Sequence, residues 1–189
     1  MEKILIAATP EKAVKNIEAL VREAGYYNIS EASSGAQARR LIAAEDWDIV
    51  IIDHPLSDDD SSSLIRMLVE HSDASPVLLV KPELIHEIEA ELSGTATVFA
   101  EKPLSKKGLF QALDLAASIK GKIEKLKAQN ATLEARLEDM KYINRAKIAL
   151  IINKGMSENQ AHRFIEKMAM DKRSPKREIA KAIIRLFSN

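Results

Sequence analysis

Three charged side chains, one aspartate and two lysines, follow apolar runs in the first half of the chain. Asp53 ends the run DIVIID, Lys81 follows PVLLV, and Lys102 follows TATVFAE. A carboxylate beside an ammonium group forms an ion pair, which is stronger where water is partly excluded. The pattern predicts a charged site in which Asp53 pairs with Lys102 or with Lys81, and it does not favour catalysis.

The other residues that could react or bind a metal are not spaced as in a known catalytic or metal-binding motif. The chain has no cysteine, no glycine-rich phosphate loop, no GxSxG turn and no Ser/His/Asp set. No metal-ligand spacing links the four histidines, which are His54, His71, His86 and His162. The acidic run Asp58–Asp60 either captures a metal through its oxygens or forms a solvated loop, with a helix N-cap at Ser61 or Ser62. We expect no enzyme activity, no catalytic residue, no metal and no cofactor.

Short apolar runs alternate with amphipathic segments and would position the charged site. The predicted strands are Lys3–Ala8, Tyr27–Ala32, Asp48–Asp53, Pro76–Val80 and Thr95–Ala100. Thr9 is expected to cap the first helix, with Pro10 at its first position. Five strands alternating with five helices predict an α/β fold with a doubly wound five-stranded parallel sheet. The functional crevice of such a sheet lies beyond the carboxyl ends of its strands.

The segment DIVIIDHPLSDDD, the run Glu101–Leu104 and Phe99 resemble the receiver domain of bacterial response regulators. The resemblance covers residues 1–118 and implies a receiver-like, flavodoxin-like fold. It also implies that Asp53 stands at the phosphoacceptor position of the family and Lys102 at the position of its phosphate-contacting lysine.

The chain departs from this family at three positions of the site. Ala8 and Thr9 replace the two acidic residues that hold magnesium in the family, and Lys81 replaces its hydroxyl residue. Because a hard divalent cation needs oxygen ligands, the loss of both carboxylates removes most of that metal site. The Lys81 ammonium could instead pair with unmodified Asp53 and mimic part of what a phosphate recruits. We therefore expect a degenerate receiver that acts without phosphorylation.

A heptad pattern follows the receiver-like segment and indicates a coiled coil. Its seam residues are Ile119, Ile123, Leu126, Asn130, Leu133, Leu137 and Met140, and Asn144 continues the a positions. The polar Asn130 at an a position favours two-stranded pairing, so we expect a homodimer. The alternative is a single amphipathic helix that packs on its own domain.

The two parts of the chain carry opposite charge. Residues 141–189 contain 12 lysines and arginines against four acids, a net charge of +8, whereas residues 1–140 carry −8. Helix signals divide the basic part into three helices, with a stop at Gly155, a capping box from Ser157 to Gln160, and a start at Ser174-Pro175. A basic module of this kind suits a polyanion, because each neutralised phosphate releases counterions.

Residues 141–187 are similar to the ANTAR domain, a family of small helical RNA-binding modules that act in transcription antitermination. The similarity rests on four spaced segments, RAK from Arg145, GMSENQA, MAMD and REIA. It implies that a dimer binds hairpins in a nascent leader RNA, prevents terminator formation and so affects RNA polymerase indirectly. The residues expected to bind RNA are Arg145, Lys147, Lys172, Arg173, Lys176 and Arg177.

Together these features predict a receiver-like domain at 1–118, a coiled-coil linker at 119–140 and an ANTAR-like three-helix domain at 141–189. The leading hypothesis is a cytoplasmic, dimeric antitermination regulator that needs no phosphorylation and has no membrane partner. One alternative is a response regulator switched by phosphorylation of Asp53, and another is a DNA-binding regulator that uses the C-terminal helices. A degenerate receiver must be regulated by something other than phosphorylation, and a protein partner that sequesters the dimer is one candidate.

Overall fold

The computed structural model describes residues 2–187. The chain divides into two compact units, with the boundary between Lys125 and Leu126. The elements in chain order are β1 (Lys3–Ala7), α1 (Glu11–Glu23), β2 (Asn28–Ala32), α2 (Gly35–Ala44), β3 (Ile49–Asp53), α3 (Ser61–His71), β4 (Ser75–Val80), α4 (Ile85–Glu91), β5 (Val98–Glu101), α5 (Lys106–Lys154), α6 (Glu158–Asp171) and α7 (Lys176–Phe187).

The first unit contains a five-stranded parallel sheet with the strand order β2-β1-β3-β4-β5. Residues of each central strand alternate between two apolar cores, so that Leu5 faces the core under α2, α3 and α4 and Ile4 faces the core under α1 and the start of α5. Both faces of the sheet are buried, which explains why the strands are continuous apolar runs. The predicted doubly wound fold is confirmed.

Two helix starts differ from the prediction. Pro10 occupies the N-cap of α1 without any side-chain cap, because Thr9 lies one position too early to reach the first free N–H groups. At α3 the N-cap is Asp60, whose carboxylate accepts hydrogen bonds from the backbone N–H groups of Ser62 and Ser63. The predicted caps at Ser61 and Ser62 are therefore wrong, since both residues are buried inside the helix.

The second unit is helical and has its own small core, formed by the last turns of α5 with α6 and α7. Ala146, Ala161 and Ala180 are fully buried there, and their small side chains let the helices approach closely. The capping box predicted from Ser157 to Gln160 is present at the start of α6. None of the helices within residues 2–187 combines the length and apolarity needed to cross a membrane.

Candidate functional site

Asp53 lies at the carboxyl end of β3 and forms an ion pair with the Nζ of Lys102. The Asp53 side chain is 13% exposed, so its carboxylate is largely shielded from water. The Lys102 ammonium also donates a hydrogen bond to the backbone carbonyl of His54 at 2.5 Å. One ammonium group thus binds both the carboxylate and the backbone that follows it, which fixes the end of β3.

Lys81 does not join this ion pair in the part of the chain that the structure describes. It is exposed and precedes a single 3-10 turn, Pro82–Leu84, which follows β4. Of the two lysines that sequence analysis offers as partners of Asp53, the structure brings only Lys102 to it.

The end of β1 contributes no charged group to the site. Ala8 is fully buried, and its backbone N–H donates to the carbonyl of Ala32 at 3.1 Å. Thr9 is half-buried beside it. Within residues 2–187, no three histidine or acidic side chains gather closely enough to hold a metal ion.

His54 is a member of the site that sequence analysis missed. Its Nδ1 lies 3.1 Å from the Oγ of Ser61 at the start of α3. Burial lowers the pKa of the His54 imidazole, and the nearby Lys102 ammonium lowers it further. The imidazole is therefore neutral at pH 7, which leaves Lys102 as the cation that faces Asp53.

The acidic run between β3 and α3 binds protein groups. The Asp58 carboxylate accepts hydrogen bonds from the backbone N–H groups of Gly35 (2.8 Å) and Ala36 (3.1 Å) at the start of α2. These bonds hold the pKa of Asp58 below its usual range. Asp59 forms a two-bond ion pair with Arg39, at 2.5 and 2.8 Å. With Asp60 capping α3, the run joins the starts of two helices, and we call it the acidic clasp (Asp58–Asp60).

The six cations expected to bind RNA fall into two groups. Lys147, Lys176 and Arg177 are engaged within the second unit: Lys147 pairs with Glu158 at 2.8 Å, and Lys176 pairs with Glu166 at 2.5 Å. The other three are exposed and have no ion pair to any described residue, and we call them the free cations (Arg145, Lys172 and Arg173).

Arg177 connects α7 to α5. Its guanidinium donates to Glu138 at 2.6 Å and to Asp139 at 3.3 Å, and it lies 5.2 Å from the ring centre of Tyr142. Lys181 lies over the same ring at 5.4 Å. A guanidinium held by two acids and an aromatic ring supports the packing of α7 against α5.

The predicted seam leaves a line of apolar side chains on α5 in the single chain. Leu126, Leu133, Leu137 and Met140 are each between 54% and 60% exposed. Ile119, at the start of the seam, instead packs on the core of the first unit, and Ile123 is half-buried. The exposed part of the seam therefore begins at Leu126.

Comparison with known families assigns the two parts of the chain. The response regulator receiver domain matches residues 4–114, more than half of the chain. The chain belongs to the response regulator receiver family. The ANTAR domain matches residues 131–184, so this response regulator carries an ANTAR RNA-binding output domain.

Among individual relatives, one matches nearly the whole chain and another matches about half of it. The chain is 29% identical to the transcriptional regulatory protein PdtaR of Mycobacterium tuberculosis over 182 residues, which covers 96% of this chain and 89% of that protein. It is 31% identical to the aliphatic amidase regulator of Pseudomonas aeruginosa over 97 residues, which covers 51% of this chain and 47% of that protein.

Solved structures show the same receiver fold. A response regulator receiver domain from Clostridium thermocellum has a TM-score of 0.57 at 21% identity and covers 65% of this chain and 99% of that structure. A receiver domain from Francisella has a TM-score of 0.52 at 23% identity, with 61% and 97% covered. Both matched families are regulatory domains, so the receiver and ANTAR parts indicate a regulator.

Proposed function

We propose that this response regulator binds hairpins in nascent leader RNA as a dimer and prevents transcription termination, without phosphorylation of its receiver. One observation carries the proposal: in a chain with an ANTAR domain, Ala8 and Thr9, which have no carboxylate, follow β1 beside the Asp53–Lys102 ion pair, where the receiver family has two acids. RNA polymerase is then affected indirectly, through the structure of the transcript.

Independence from phosphorylation is supported by the groups around Asp53. Phosphoryl transfer needs divalent cations to neutralise the charge that develops on the phosphate oxygens. Ala8 and Thr9 offer no carboxylate for such an ion, and the nearby acidic clasp is bound to α2 and to Arg39. Regulation must then act by another route, and a protein that sequesters the dimer is one such route.

Dimerisation is supported by the exposed seam of α5. Each leucine side chain that moves from water into an apolar contact contributes about 1.5–3 kcal/mol when its burial is complete. Leu126, Leu133 and Leu137 are each more than half exposed in the single chain, and a second copy would bury them in pairs. Asn130 lies between two of these leucines and favours a two-stranded, in-register pairing.

RNA binding is supported by the free cations Arg145, Lys172 and Arg173. Proteins read RNA through single-stranded loop bases and the shape of stems, while lysine and arginine contact phosphates. Lys147, Lys176 and Arg177 contribute less directly, because each is held by an acid of its own unit. We propose the divisions 1–118, 119–140 and 141–189 for the receiver, the seam and the RNA-binding module.

A salt titration of the unphosphorylated chain tests this function. The protein is mixed with a leader RNA that contains two hairpins and, separately, with a duplex DNA of equal length, and binding is measured with and without a phosphodonor and Mg²⁺. We expect selective RNA binding that the phosphodonor leaves unchanged and that weakens as salt rises. Binding that requires the phosphodonor would favour a phosphorylation switch at Asp53, and preference for duplex DNA would favour a DNA-binding regulator.

A further inference from the structure

We propose that the dimer builds two composite phosphate-binding sites beside its seam. Each consists of Arg136 of one protomer together with the partner's Lys141 and the partner's Arg145. The inference rests on the proposed function, because these sites exist only where two copies of α5 pair in parallel and bind RNA.

The heptad positions place these cations against one another. With Leu137 at a and Met140 at d, Arg136 takes position g and Lys141 takes position e. In a parallel two-stranded coiled coil, a g side chain meets the e side chain five residues later on the other helix. Arg136 therefore faces the partner's Lys141, and symmetry repeats this pair of like charges on the other side of the seam.

Nothing within the described residues neutralises this pair. Arg136 and Lys141 are exposed, and neither has an ion pair to any of residues 2–187. Three acids lie within three residues of Arg136 on α5: Glu138 and Asp139 bind Arg177 of α7, and Glu134 has no ion pair to Arg136 or Lys141. The contact between α7 and α5 thus engages Glu138 and Asp139, and Arg136 and Lys141 have no acidic partner among the described residues.

Arg145 enlarges the cluster towards the RNA-binding module. It lies four residues after Lys141, one helical turn further along the same side of α5, and it is exposed without an ion pair to a described residue. Three positive charges on one side of the seam attract a phosphate group, and a bound phosphate cancels the repulsion between them. Phosphate binding and dimerisation are then thermodynamically linked, so RNA strengthens the dimer and the dimer strengthens RNA binding.

The decisive variant is Arg136→Glu, which should strengthen dimerisation and weaken RNA binding. It turns both like-charge pairs into attractive pairs, so we expect the dimer dissociation constant to fall about tenfold. It also removes a phosphate contact at each site, so RNA affinity falls about tenfold and the slope of log K against log salt becomes shallower by about one to two. Analytical ultracentrifugation measures the dimer, and a salt titration with a synthetic RNA of two hairpins measures binding.

Two further variants separate this site from a general charge effect. Lys125→Glu makes the same charge change at a c position, away from the seam, and it should leave the dimer and the salt slope unchanged. Adding Lys141→Glu to Arg136→Glu creates a repulsive pair of acids, so the dimer should loosen again while RNA binding weakens further. This reversal is expected only if the two side chains meet across the seam.

The results also distinguish this inference from the function on which it rests. A wild-type chain that binds the RNA, with an Arg136→Glu variant unchanged in dimer constant and salt slope, would overturn the composite site alone. A wild-type dimer that binds no RNA at any salt concentration would overturn the proposed function and the site with it.

Discussion

Asp53 and Lys102 hold each other in a place that is mostly closed to water. A carboxylate that is only 13% exposed requires a partner, because an unpaired charge with little solvent around it is costly. Lys102 supplies that partner and also binds the backbone carbonyl of His54. The unmodified site is thus already neutralised and hydrogen-bonded.

Replacing Asp53 by asparagine separates the structural role of this site from a signalling role. Asp53→Asn removes the ion pair and leaves Lys102 without its carboxylate, so the receiver should lose about 1–2 kcal/mol of unfolding free energy. RNA affinity should stay within about twofold. Urea unfolding followed by the fluorescence of Trp47, the single tryptophan and a core residue, measures the first quantity. A loss of RNA affinity of tenfold or more would contradict phosphorylation-independent binding.

His54 should make the stability of the receiver depend on pH. Its pKa is lowered in the folded state by burial and by Lys102, so the unfolded chain binds a proton more readily. The stability that His54 contributes is present above its unfolded pKa of about 6.5 and is lost as the pH falls through the folded pKa. Urea midpoints should therefore fall below pH 6.5 in the wild type, and less steeply in His54→Gln. Parallel curves for the two proteins would contradict this assignment.

At the scale of elements, the acidic clasp joins the loop after β3 to two helices. Asp58 binds the first N–H groups of α2, Asp59 binds Arg39 within α2, and Asp60 caps α3. Carboxylates at helix N-termini complement the helix dipole and satisfy free N–H groups. The clasp sets where α2 and α3 begin, and it requires the backbone of Gly35 to approach Asp59 closely.

Gly35 and Gly121 form a matched pair for testing the clasp. A methyl group at Gly35 would overlap the side chain of Asp59, whereas one at Gly121 on α5 would meet no atom within 4 Å. Gly35→Ala should therefore lower the free energy of unfolding by about 1–3 kcal/mol. Gly121→Ala should raise helix stability by about 0.5–1 kcal/mol. Thermal unfolding checks both, and equal effects of the same sign would show that the close approach is unimportant.

The order of strands and helices could be predicted because buried parallel strands are continuous apolar runs, as in Ile49–Asp53. The partner of Asp53 could not be predicted, because Lys81 and Lys102 both follow strands. The structure pairs Asp53 with Lys102 and leaves Lys81 exposed before a 3-10 turn. The clasp joins Asp58 to Gly35, which lies 23 residues away, so no local pattern indicates it. Arg177 finds its acids on α5, 38 and 39 residues earlier, for the same reason.

At the scale of the whole molecule, the two parts carry opposite charge, which favours the second part for the proposed binding of RNA. Residues 1–140 carry a net charge of −8 and repel phosphates, whereas residues 141–189 carry +8 and attract them. Arg136, just before this boundary, belongs by charge to the basic part. The proposed dimer would double the basic surface and hold two hairpins of one transcript at once, which would raise the effective concentration for the second contact.

A charged residue in the seam should prevent dimerisation and so remove the gain in effective concentration for the second hairpin. Leu126→Lys places an ammonium group at a d position, where pairing would bury it against its own copy, so the chain should become a monomer by light scattering. Affinity for a two-hairpin RNA should then fall by about 100-fold. Affinity for a single-hairpin RNA should fall only by about tenfold, because the composite sites of Arg136, Lys141 and Arg145 are lost with the dimer. Ala128→Lys adds the same charge at an exposed f position and should remain dimeric. A Leu126→Lys protein that keeps the dimer mass would show that these helices pair through another face.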